Sequence, residues 1–528
     1  MNGGALPAPI ATRLARLAPD QRAAATAPPG PVLCVAPAGS GKTTTVVARL
    51  AWRVAMGAEA TSICALTFNR AAADELQERT DAALVELGYE PGVARVRTFH
   101  ALGREILSEA GIDVSRIVER AEVLAELAGA ALSPTQLRHL DDAFTRLKLD
   151  PERGPPAEDV ETHAAFAAYQ EQLRRDRSID LDDLVALAGP ALQSDAGLLE
   201  RWRTRTAVLF VDEAQDLDKS QLDLALLLTG DGRDIFLVGD DDQTIYAWRL
   251  ADVRRVLGLA ARLPGLRRVD LETNHRCAPE VVHRAARLVE HNEERFDKRI
   301  LASPRNAGAV QLLPDPGDEV ARARLLLTTW AAEPPAERHA VLARTNRELV
   351  PYAAVALELG LPYRAEQDGL HWPDERAQAA LTAADPTVPL LIAVARAAAM
   401  TGLPRAESAD LLAWAAACHD LDDLRATIDA RRQAHEQLRR DDADLTLATA
   451  HGTKGLEWDH VACVGHDEGA FPSGRALREA DDPRRVLEEE RRLAYVAWTR
   501  ARKTLTIVYD PGAPSAFVLE AFDPHELA

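Results

Sequence analysis

Short apolar runs that end in polar or glycine-rich turns recur along this chain. Three of them are Pro31–Ala36, Ala207–Val211 and Asp234–Val238. Apolar runs of this length, bounded by turn residues, are typical of buried β-strands. In open α/β sheets, ligands bind just beyond the carboxyl ends of the strands, so the residues that follow each run are the first candidates for chemistry. The pattern predicts an α/β protein.

The first run is followed by PAGSGKT and then by the helix-like stretch Thr44–Val54. Strand, glycine-rich loop and helix in this order are typical of a nucleotide-binding P-loop. Lys42 would reach the β and γ phosphates, and the Thr43 hydroxyl would ligate Mg²⁺. Ala36 replaces the first glycine of the general pattern, whereas the two later glycines are present. We expect the backbone of the loop and the helix start to cradle ATP phosphates at Ala38, Gly39, Ser40, Gly41, Lys42, Thr43 and Thr44.

The second run ends in DEAQD, which places Asp212 and Glu213 at the carboxyl end of a strand. Two adjacent carboxylates there divide two tasks naturally: Asp212 would hold Mg²⁺ and Glu213 would activate the attacking water. An acidic pair after a strand is structural in many proteins. Combined with the P-loop, it indicates the acidic half of a site that hydrolyses nucleoside triphosphates.

The third run leads into VGDDDQTIYAWR, at Val238–Arg249. Gln243 would face the phosphate site at the strand end. Tyr246 and Trp248 are flat aromatics followed by Arg249, and unpaired bases stack on side chains of these types. The alternative is that both aromatics are ordinary core residues. On the first interpretation, one loop contacts both nucleotide and nucleic acid.

Composition limits the class of protein. A chain of 528 residues exceeds what one hydrophobic core usually supports, and its 47% apolar content suffices for several. The five cysteines are scattered singly, which argues against zinc, an iron–sulfur cluster or a disulfide framework and fits a reducing cytoplasm. No signal peptide and no run of membrane-spanning length is recognisable. We therefore expect a cytoplasmic protein without a membrane partner.

The formal net charge of −20 constrains any partnership with nucleic acid. Phosphate contacts normally come from Lys and Arg, and the field of the whole protein would repel DNA. Binding would have to be local, through a lined groove and base stacking. The acidic stretches Asp441–Asp444 and Glu479–Glu490 are expected to be solvated surfaces.

The segments in the first half of the chain resemble, in order, those of the UvrD/Rep group of superfamily 1 helicases. Besides VDEAQD and VGDDDQTIYAWR, the matching segments are APDQRAA at Ala18–Ala24, ALTFNRAAADEL at Ala65–Leu76 and RTFHALGREIL at Arg97–Leu107. The resemblance implies that Gln21 contacts adenine and that Gln243 senses the γ-phosphate. It also implies contacts with single-stranded DNA at Phe68, Thr98, His100, Tyr246, Trp248 and Arg249.

The match continues through the second half. Its segments are LETNHRCAPE at Leu271–Glu280, VLARTNRELV at Val341–Val350, LATAHGTKGLEWDHV at Leu447–Val461 and EERRLAYVAWTRA at Glu489–Ala501. The resemblance implies arginine fingers at Arg276 and Arg500, and a ribose contact at Glu457. It matches Arg344 and Asn346 to the family's next segment and implies DNA contacts at Thr449, His451 and Lys454. His275 departs from the family, which usually has a tyrosine that stacks on adenine, so this position bears on adenine selectivity or affinity.

Arginines supplied from a second domain would stabilise transition-state charge only when the cleft closes around ATP, which would couple hydrolysis to domain motion. For each arginine taken singly, the alternative is a surface salt bridge. Their joint occurrence inside matched segments favours the catalytic interpretation.

The resemblance implies two RecA-like α/β motor domains, each interrupted by a mainly helical insertion. The first motor domain would cover residues 1–104 and 176–275, with an insertion at 105–175. The second would cover 276–370 and 441–528, with a short, alanine-rich insertion at 371–440 that contains Pro373, Pro386, Pro389 and Pro404. The second insertion is much shorter than the family's subdomain, which contacts duplex DNA and tunes unwinding. Its reduction bears on strand separation and leaves ATP-driven movement intact.

Three functional hypotheses follow. The first is an ATP-dependent and Mg²⁺-dependent motor that moves 3′ to 5′ on single-stranded DNA or a tailed duplex, with duplex unwinding, in DNA repair, recombination or defence. The second is a DNA-stimulated sensor or regulatory subunit that gates a protein partner such as a nuclease and unwinds little alone. The third is a P-loop enzyme that acts on small molecules, which the matched DNA-side residues disfavour.

Overall fold

The computed structural model describes residues 6–129, 132–230, 234–314, 317–332, 337–366 and 375–527. Its chain forms two compact units. The first consists of Met1–Arg276 and Asn292–Ser303, and the second of Cys277–His291 and Pro304–Ala528. No helix in the described stretches is long and apolar enough to cross a membrane.

The first unit is built on a parallel sheet. In its described part, six strands lie side by side in the order β3-β2-β4-β5-β1-β6, and β7 pairs separately with β8. The strands are β1 Val32–Val35, β2 Ile63–Thr67, β3 Arg95–Thr98, β4 Val208–Val211, β5 Asp234–Gly239, β6 Arg267–Asp270, β7 Thr273–Asn274 and β8 Leu301–Ala302.

The helices of the first unit are α1 Ala8–Ala15, α2 Pro19–Ala25, α3 Lys42–Ala55, α4 Arg70–Val85, α5 Phe99–Glu109, α6 Arg120–Ala128, α7 Pro134–Leu149, α8 Val160–Asp176, α9 Asp183–Ala186, α10 Ala188–Ser194, α11 Ala196–Arg205, α12 Lys219–Thr229, α13 Val253–Leu257 and α14 Leu259–Arg262. Helices α1–α4 pack on one face of the sheet, and α5 and α9–α14 pack on the other. Along β1, Val32 and Cys34 belong to the core shared with α1–α4, whereas Leu33 and Val35 belong to the opposite core. Because successive side chains of a strand alternate between faces, a strand covered on both faces is apolar throughout.

The first insertion has a small core of its own. Helices α6, α7 and α8 pack around buried residues such as Leu124, Phe144 and Tyr169. The predicted start of this insertion at 104/105 falls inside α5. That helix buries Phe99 and Ile106 in the core of the motor sheet along its length, so it belongs to the motor unit and ends at Glu109.

The second unit repeats the parallel architecture. Its described strands lie in the order β11-β12-β10-β13-β14-β9. They are β9 Ala309–Pro314, β10 His339–Ala343, β11 Tyr363–Arg364, β12 Leu445–Thr449, β13 Trp458–Cys463 and β14 Ala501–Tyr509. The helices are α15 Pro279–Val289, α16 Glu319–Ala331, α17 Val350–Leu359, α18 Glu375–Ala383, α19 Leu390–Met400, α20 Arg405–Ala415, α21 Leu421–Leu438, α22 Gly474–Glu479, α23 Pro483–Trp498 and α24 Ala516–Ala521. The two parallel sheets confirm the predicted α/β class.

The second insertion is helical in its described part. Helices α18–α21 enclose a core of small apolar residues, among them Ala380, Ala397 and Leu424. The predicted start of the insertion at 370/371 and Pro373 lie outside the described residues.

One segment departs from the predicted domain division. Residues Asn292–Ser303, assigned to the second motor domain from sequence, pack within the first unit. The reason is specific: β8 pairs with β7, and Lys298 forms ion pairs with three aspartates that follow β5.

A buried histidine makes the stability of the second unit depend on pH. His466 is fully buried, accepts a hydrogen bond from Trp498 Nε1 at 3.0 Å, and has its pKa lowered by burial to about 3. The unfolded chain takes up a proton at this position near pH 6.5, whereas the folded chain does not, so stability present above that pH is lost as pH falls. We expect a loss of about 2 kcal/mol from this residue between pH 7 and pH 5.

Urea unfolding of the wild type and His466→Gln at both pH values measures this effect. Glutamine keeps an acceptor for Trp498 but does not titrate, so its stability should change less with pH by the stated amount. Equal pH dependence in the two proteins would contradict the assignment.

Candidate nucleotide site and nucleic-acid track

The P-loop connects β1 to α3 in the first unit. Gly39 and Gly41 both adopt left-handed backbone conformations, with φ of +68° and +81°. A side chain at Gly39 would come within 2.5 Å of Asn274 Oδ1, so only glycine fits there. The Ser40 hydroxyl is buried and has no hydrogen-bond partner among the described residues. An unpartnered donor beside the amides that begin α3 fits an anionic phosphate ligand.

Two residues predicted to contact the base hold this loop in place. Gln21 donates from Nε2 to the Ser40 carbonyl at 2.8 Å and accepts the Ala18 amide at 3.1 Å. The His275 amide donates to the Gly39 carbonyl at 2.8 Å. Both predicted base contacts therefore adjoin the P-loop, and the His275 side chain is exposed.

The acidic pair lies beside the P-loop lysine. Lys42 Nζ is 3.0 Å from Glu213 Oε1, and Asp212 accepts the Glu213 amide at 2.9 Å. Glu213 has a left-handed backbone, with φ of +51°, which costs energy in a residue other than glycine. The structure thus brings the predicted water-activating carboxylate to the predicted phosphate-binding ammonium. Asp212 and the Thr43 hydroxyl are hard oxygen donors of the kind that hold Mg²⁺ together with phosphates and water.

Gln243 is linked to this pair through a bridge that the sequence reasoning missed. Its Nε2 donates to Asp240 Oδ2 at 2.7 Å. The Asp240 amide donates to Gln215 Oε1 at 3.0 Å, and Gln215 Nε2 donates to Glu213 Oε2 at 2.5 Å. Gln215 lies within the recognised VDEAQD segment, which was the available signal.

The predicted base-stacking residues form a contiguous aromatic surface, here called the aromatic track. Phe68 and Tyr246 are stacked with ring centroids 5.1 Å apart and planes 6° apart. Trp248 meets Tyr246 edge-on at 6.1 Å and is 61% exposed, and the Arg249 guanidinium lies 4.6 Å from the Trp248 ring. An exposed tryptophan is not a core residue, so the core alternative is wrong for Trp248.

Thr98 and His100 lie where α5 begins. The Thr98 hydroxyl accepts the Ala101 amide at 3.2 Å and caps the helix. Burial lowers the pKa of His100; Asp182 opposes that shift and Arg249 adds to it. His100 therefore stays neutral at pH 7 and is electrostatically coupled to the arginine of the aromatic track. Its predicted DNA contact, like that of Thr98, stays a prediction.

The matched residues of the second unit gather where β12 ends. Thr449 is the last residue of that strand, and His451 lies in the 3-10 turn Ala450–Thr453 that follows. The pKa of His451 is lowered to about 4 by burial and by Arg344, against an opposing effect of Glu490. Arg344 itself forms a forked ion pair with Glu490, at 2.7 and 2.9 Å.

The remaining matched residues of this unit have local partners or positions of their own. Glu457, the predicted ribose contact, pairs with Arg502. Lys454 is half-buried immediately after the 3-10 turn that contains His451. Asn346 begins a 3-10 turn whose cap is Thr345.

The two predicted arginine fingers differ in their surroundings. Arg276 was expected from the second domain, but it is the last residue of the first stretch of the first unit. Its amide donates to Asn274 Oδ1 at 2.8 Å. Arg500 belongs to the second unit, is 2% exposed, and donates to the Val496 and Leu456 carbonyls. Both catalytic roles stay predictions.

Comparison with known proteins gives two family matches. A model described as the UvrD/REP helicase N-terminal domain matches residues 17–264, and one described as the UvrD-like helicase C-terminal domain matches residues 415–511. The first match spans the P-loop, the acidic pair and the aromatic track, and the second spans Thr449 through Arg500.

Curated relatives align over most of the chain. The ATP-dependent DNA helicase UvrD2 of Mycobacterium tuberculosis is 30% identical over 94% of this chain and 78% of that protein. DNA helicase II of Escherichia coli is 26% identical over 93% of this chain and 84% of that protein. The ATP-dependent DNA helicase Rep of Escherichia coli is 28% identical over 66% of this chain and 55% of that protein.

Proposed function

Because this chain belongs to the UvrD/Rep helicase family, we propose that it is a motor that moves 3′ to 5′ on single-stranded DNA and unwinds tailed duplexes. The chain is an ATP-dependent DNA helicase by its family. The direction of movement, the use of Mg²⁺ and the roles of individual residues are our proposals. The two parallel-sheet units with their helical insertions serve as the two motor domains.

One observation carries the proposal: a single short loop connects the nucleotide site to the aromatic track. Gln243 is tied through Asp240 and Gln215 to Glu213, and three residues later Tyr246 stacks on Phe68. The 3-10 turns Asp241–Gln243 and Ala247–Arg249 lie close together in the sequence, so the chain that joins them is short. A change at the phosphate site is therefore transmitted to the surface on which bases stack.

The hydrolytic chemistry follows from the acidic pair and the P-loop. Glu213 pairs with Lys42 at 3.0 Å. Lys42 would bind the phosphates of ATP, and the Glu213 carboxylate beside it would orient and deprotonate water. Mg²⁺, held by Thr43 and Asp212, would neutralise charge on the phosphates.

The direct test measures ATP hydrolysis with and without single-stranded DNA, and unwinding of duplexes that carry either a 3′ or a 5′ tail. We expect DNA to stimulate hydrolysis and the 3′-tailed duplex to be unwound preferentially. Preference for the 5′ tail would overturn the direction. Stimulation without unwinding of either duplex would instead support the regulatory-subunit hypothesis, and absence of stimulation would overturn the role of the aromatic track.

The position of His275 yields a prediction for nucleotide affinity. The family usually has tyrosine here, and His275 adjoins the P-loop through its amide. A tyrosine offers a larger face for stacking, and aromatic stacking is worth about 0.5–1.5 kcal/mol. We expect His275→Tyr to lower the KM for ATP by about two- to tenfold with little change in kcat.

A matched His275→Leu variant separates stacking from simple apolar contact, since leucine has no ring. Its KM should rise or stay unchanged. If His275→Tyr leaves the KM for ATP at the wild-type value, His275 does not adjoin the bound base.

A further inference from the structure

Lys298 is a fully buried cation among three carboxylates. Its Nζ lies 2.8 Å from Asp240 Oδ1 and 2.9 Å from Asp242 Oδ2, and it also pairs with Asp241 Oδ1. All four side chains are inaccessible to solvent. Burial alone would lower the pKa of Lys298, but the three carboxylates outweigh it and raise the pKa above the ordinary value. The residue is therefore a permanent charge in the interior of the first unit.

Lys298 belongs to a segment that packs in a different unit from the chain on either side of it. The segment Asn292–Ser303, here called the anchor segment, packs in the first unit, whereas the chain on both sides of it belongs to the second unit. Arg295 pairs with Asp242 at 2.8 Å, and the Phe296 amide donates to Asp241 Oδ2 at 2.8 Å. The anchor segment thus contacts the three aspartates at several points.

Asp240 connects Lys298 to the nucleotide site. One carboxylate oxygen of Asp240, Oδ1, accepts a hydrogen bond from Lys298 Nζ. The other, Oδ2, accepts a hydrogen bond from Gln243 Nε2 at 2.7 Å. The same residue donates its amide to Gln215, which donates to Glu213. Neither Arg295 nor the Phe296 amide contacts Asp240 in the described hydrogen bonds. Lys298 is therefore a direct link from the anchor segment, through Asp240, to the predicted γ-phosphate sensor.

We propose that Lys298 is a positioning residue for ATP hydrolysis: by holding the Asp240 carboxylate, it fixes Gln243 and the Gln215 bridge to Glu213, and it makes their placement depend on the anchor segment. This proposal rests on the proposed roles of Gln243 and Glu213 in ATP hydrolysis, but not on movement along DNA. A cation that served only to stabilise the unit would be a poor choice, because burying charges costs desolvation and apolar replacements of ion pairs are often neutral or stabilising.

The test uses two double variants of the full chain with equal charge. In Lys298→Met with Asp241→Asn, the cluster loses one cation and one carboxylate, and the link to Asp240 is cut. In Arg295→Met with Asp242→Asn, the cluster also loses one of each, but the contact between Lys298 and Asp240 remains. Circular dichroism melting establishes that both are folded at the assay temperature. ATP affinity is then measured with a fluorescent ATP analogue, and kcat with and without single-stranded DNA.

We expect the Lys298 double variant to lose at least about tenfold in kcat, with and without DNA, at unchanged affinity for the analogue, because small misplacements of catalytic groups cost large factors in rate. The Arg295 double variant should stay within about threefold of the wild type, as expected for a change away from the reacting groups. A folded Lys298 variant with kcat near the wild-type value overturns the proposal. An equal loss in the Arg295 variant also overturns it, because the effect would then not run through Asp240.

If the Lys298 double variant does not fold, Asp240→Asn tests the same link without a change of side-chain size, and a wild-type kcat in that variant overturns the proposal. The readouts also separate this proposal from the proposed function. A wild type that hydrolyses ATP without stimulation by DNA contradicts the motor, whereas the effect of Lys298 on unstimulated kcat is still measured.

Discussion

Glu213→Gln is expected to lower the kcat for ATP hydrolysis by at least about 100-fold while ATP still binds, because a positioned general base contributes about 10²–10⁴-fold. Glutamine keeps the shape and the hydrogen-bond acceptor but cannot take the proton from water. The substitution would also remove the negative charge that pairs with Lys42, which lies 3.0 Å from Glu213. ATP affinity should therefore be unchanged or higher. Steady-state hydrolysis together with binding of a fluorescent ATP analogue measures both quantities.

The matched control is Glu75→Gln on the surface of α4. Its carboxylate is 60% exposed and forms only an i,i+4 pair with Arg79 among the described ion pairs. Such exposed pairs contribute little to stability, so hydrolysis should remain within about twofold of the wild type. Substantial hydrolysis by Glu213→Gln would assign the base to another group. A parallel loss of ATP binding would show that Glu213 holds the site together and does not act on water.

The fold was predictable where burial is two-sided. Every residue of β1, β4 and β5 is buried, and each strand carries an almost unbroken apolar run that identifies it in the sequence. The start of the first insertion was not predictable in this way. In α5, apolar residues recur at the helical spacing that is typical of any amphipathic helix. This pattern does not tell whether the apolar face packs on the sheet or on another helix.

The site was predictable where chemistry demands particular residue types in sequence order. The P-loop, Asp212 and Glu213, and the loop of Gln243 and Trp248 all follow strands of one sheet, and the structure brings Lys42 to Glu213. Lys298 was not predictable. It lies 55 residues after Gln243 in an unremarkable stretch, and its importance arises only from the three carboxylates that surround it in the folded unit.

The acidic composition and the aromatic track together indicate how this chain would hold a polyanion. With a net charge of −20, long-range attraction to DNA is unfavourable, so affinity has to come from short-range contacts. The proposed track would supply them: Trp248 is 61% exposed, Tyr246 contacts its ring edge-on, and the Arg249 guanidinium lies over that ring. Base stacking of this kind is indifferent to sequence, which a motor that passes every base in turn requires.

Trp248→Ala should accordingly abolish most of the stimulation of ATP hydrolysis by DNA and leave unstimulated hydrolysis intact. Stacking on an aromatic side chain is worth about 1–3 kcal/mol per base, so DNA affinity should fall by about five- to 150-fold. Because Trp248 is 61% exposed, removal of its ring leaves no internal cavity, and the melting temperature should hardly change. Hydrolysis measured over a range of single-stranded DNA concentrations yields the half-saturating concentration and the maximal stimulation.

Trp248→Phe is the matched variant, since phenylalanine keeps a ring at the same position. It should recover most of the stimulation, with a half-saturating DNA concentration between those of the wild type and the alanine variant. If Trp248→Ala keeps the wild-type DNA dependence, bases do not stack on this residue. If unstimulated hydrolysis falls as well, the tryptophan acts through the loop on Gln243, and the two ends of that loop are coupled even without DNA.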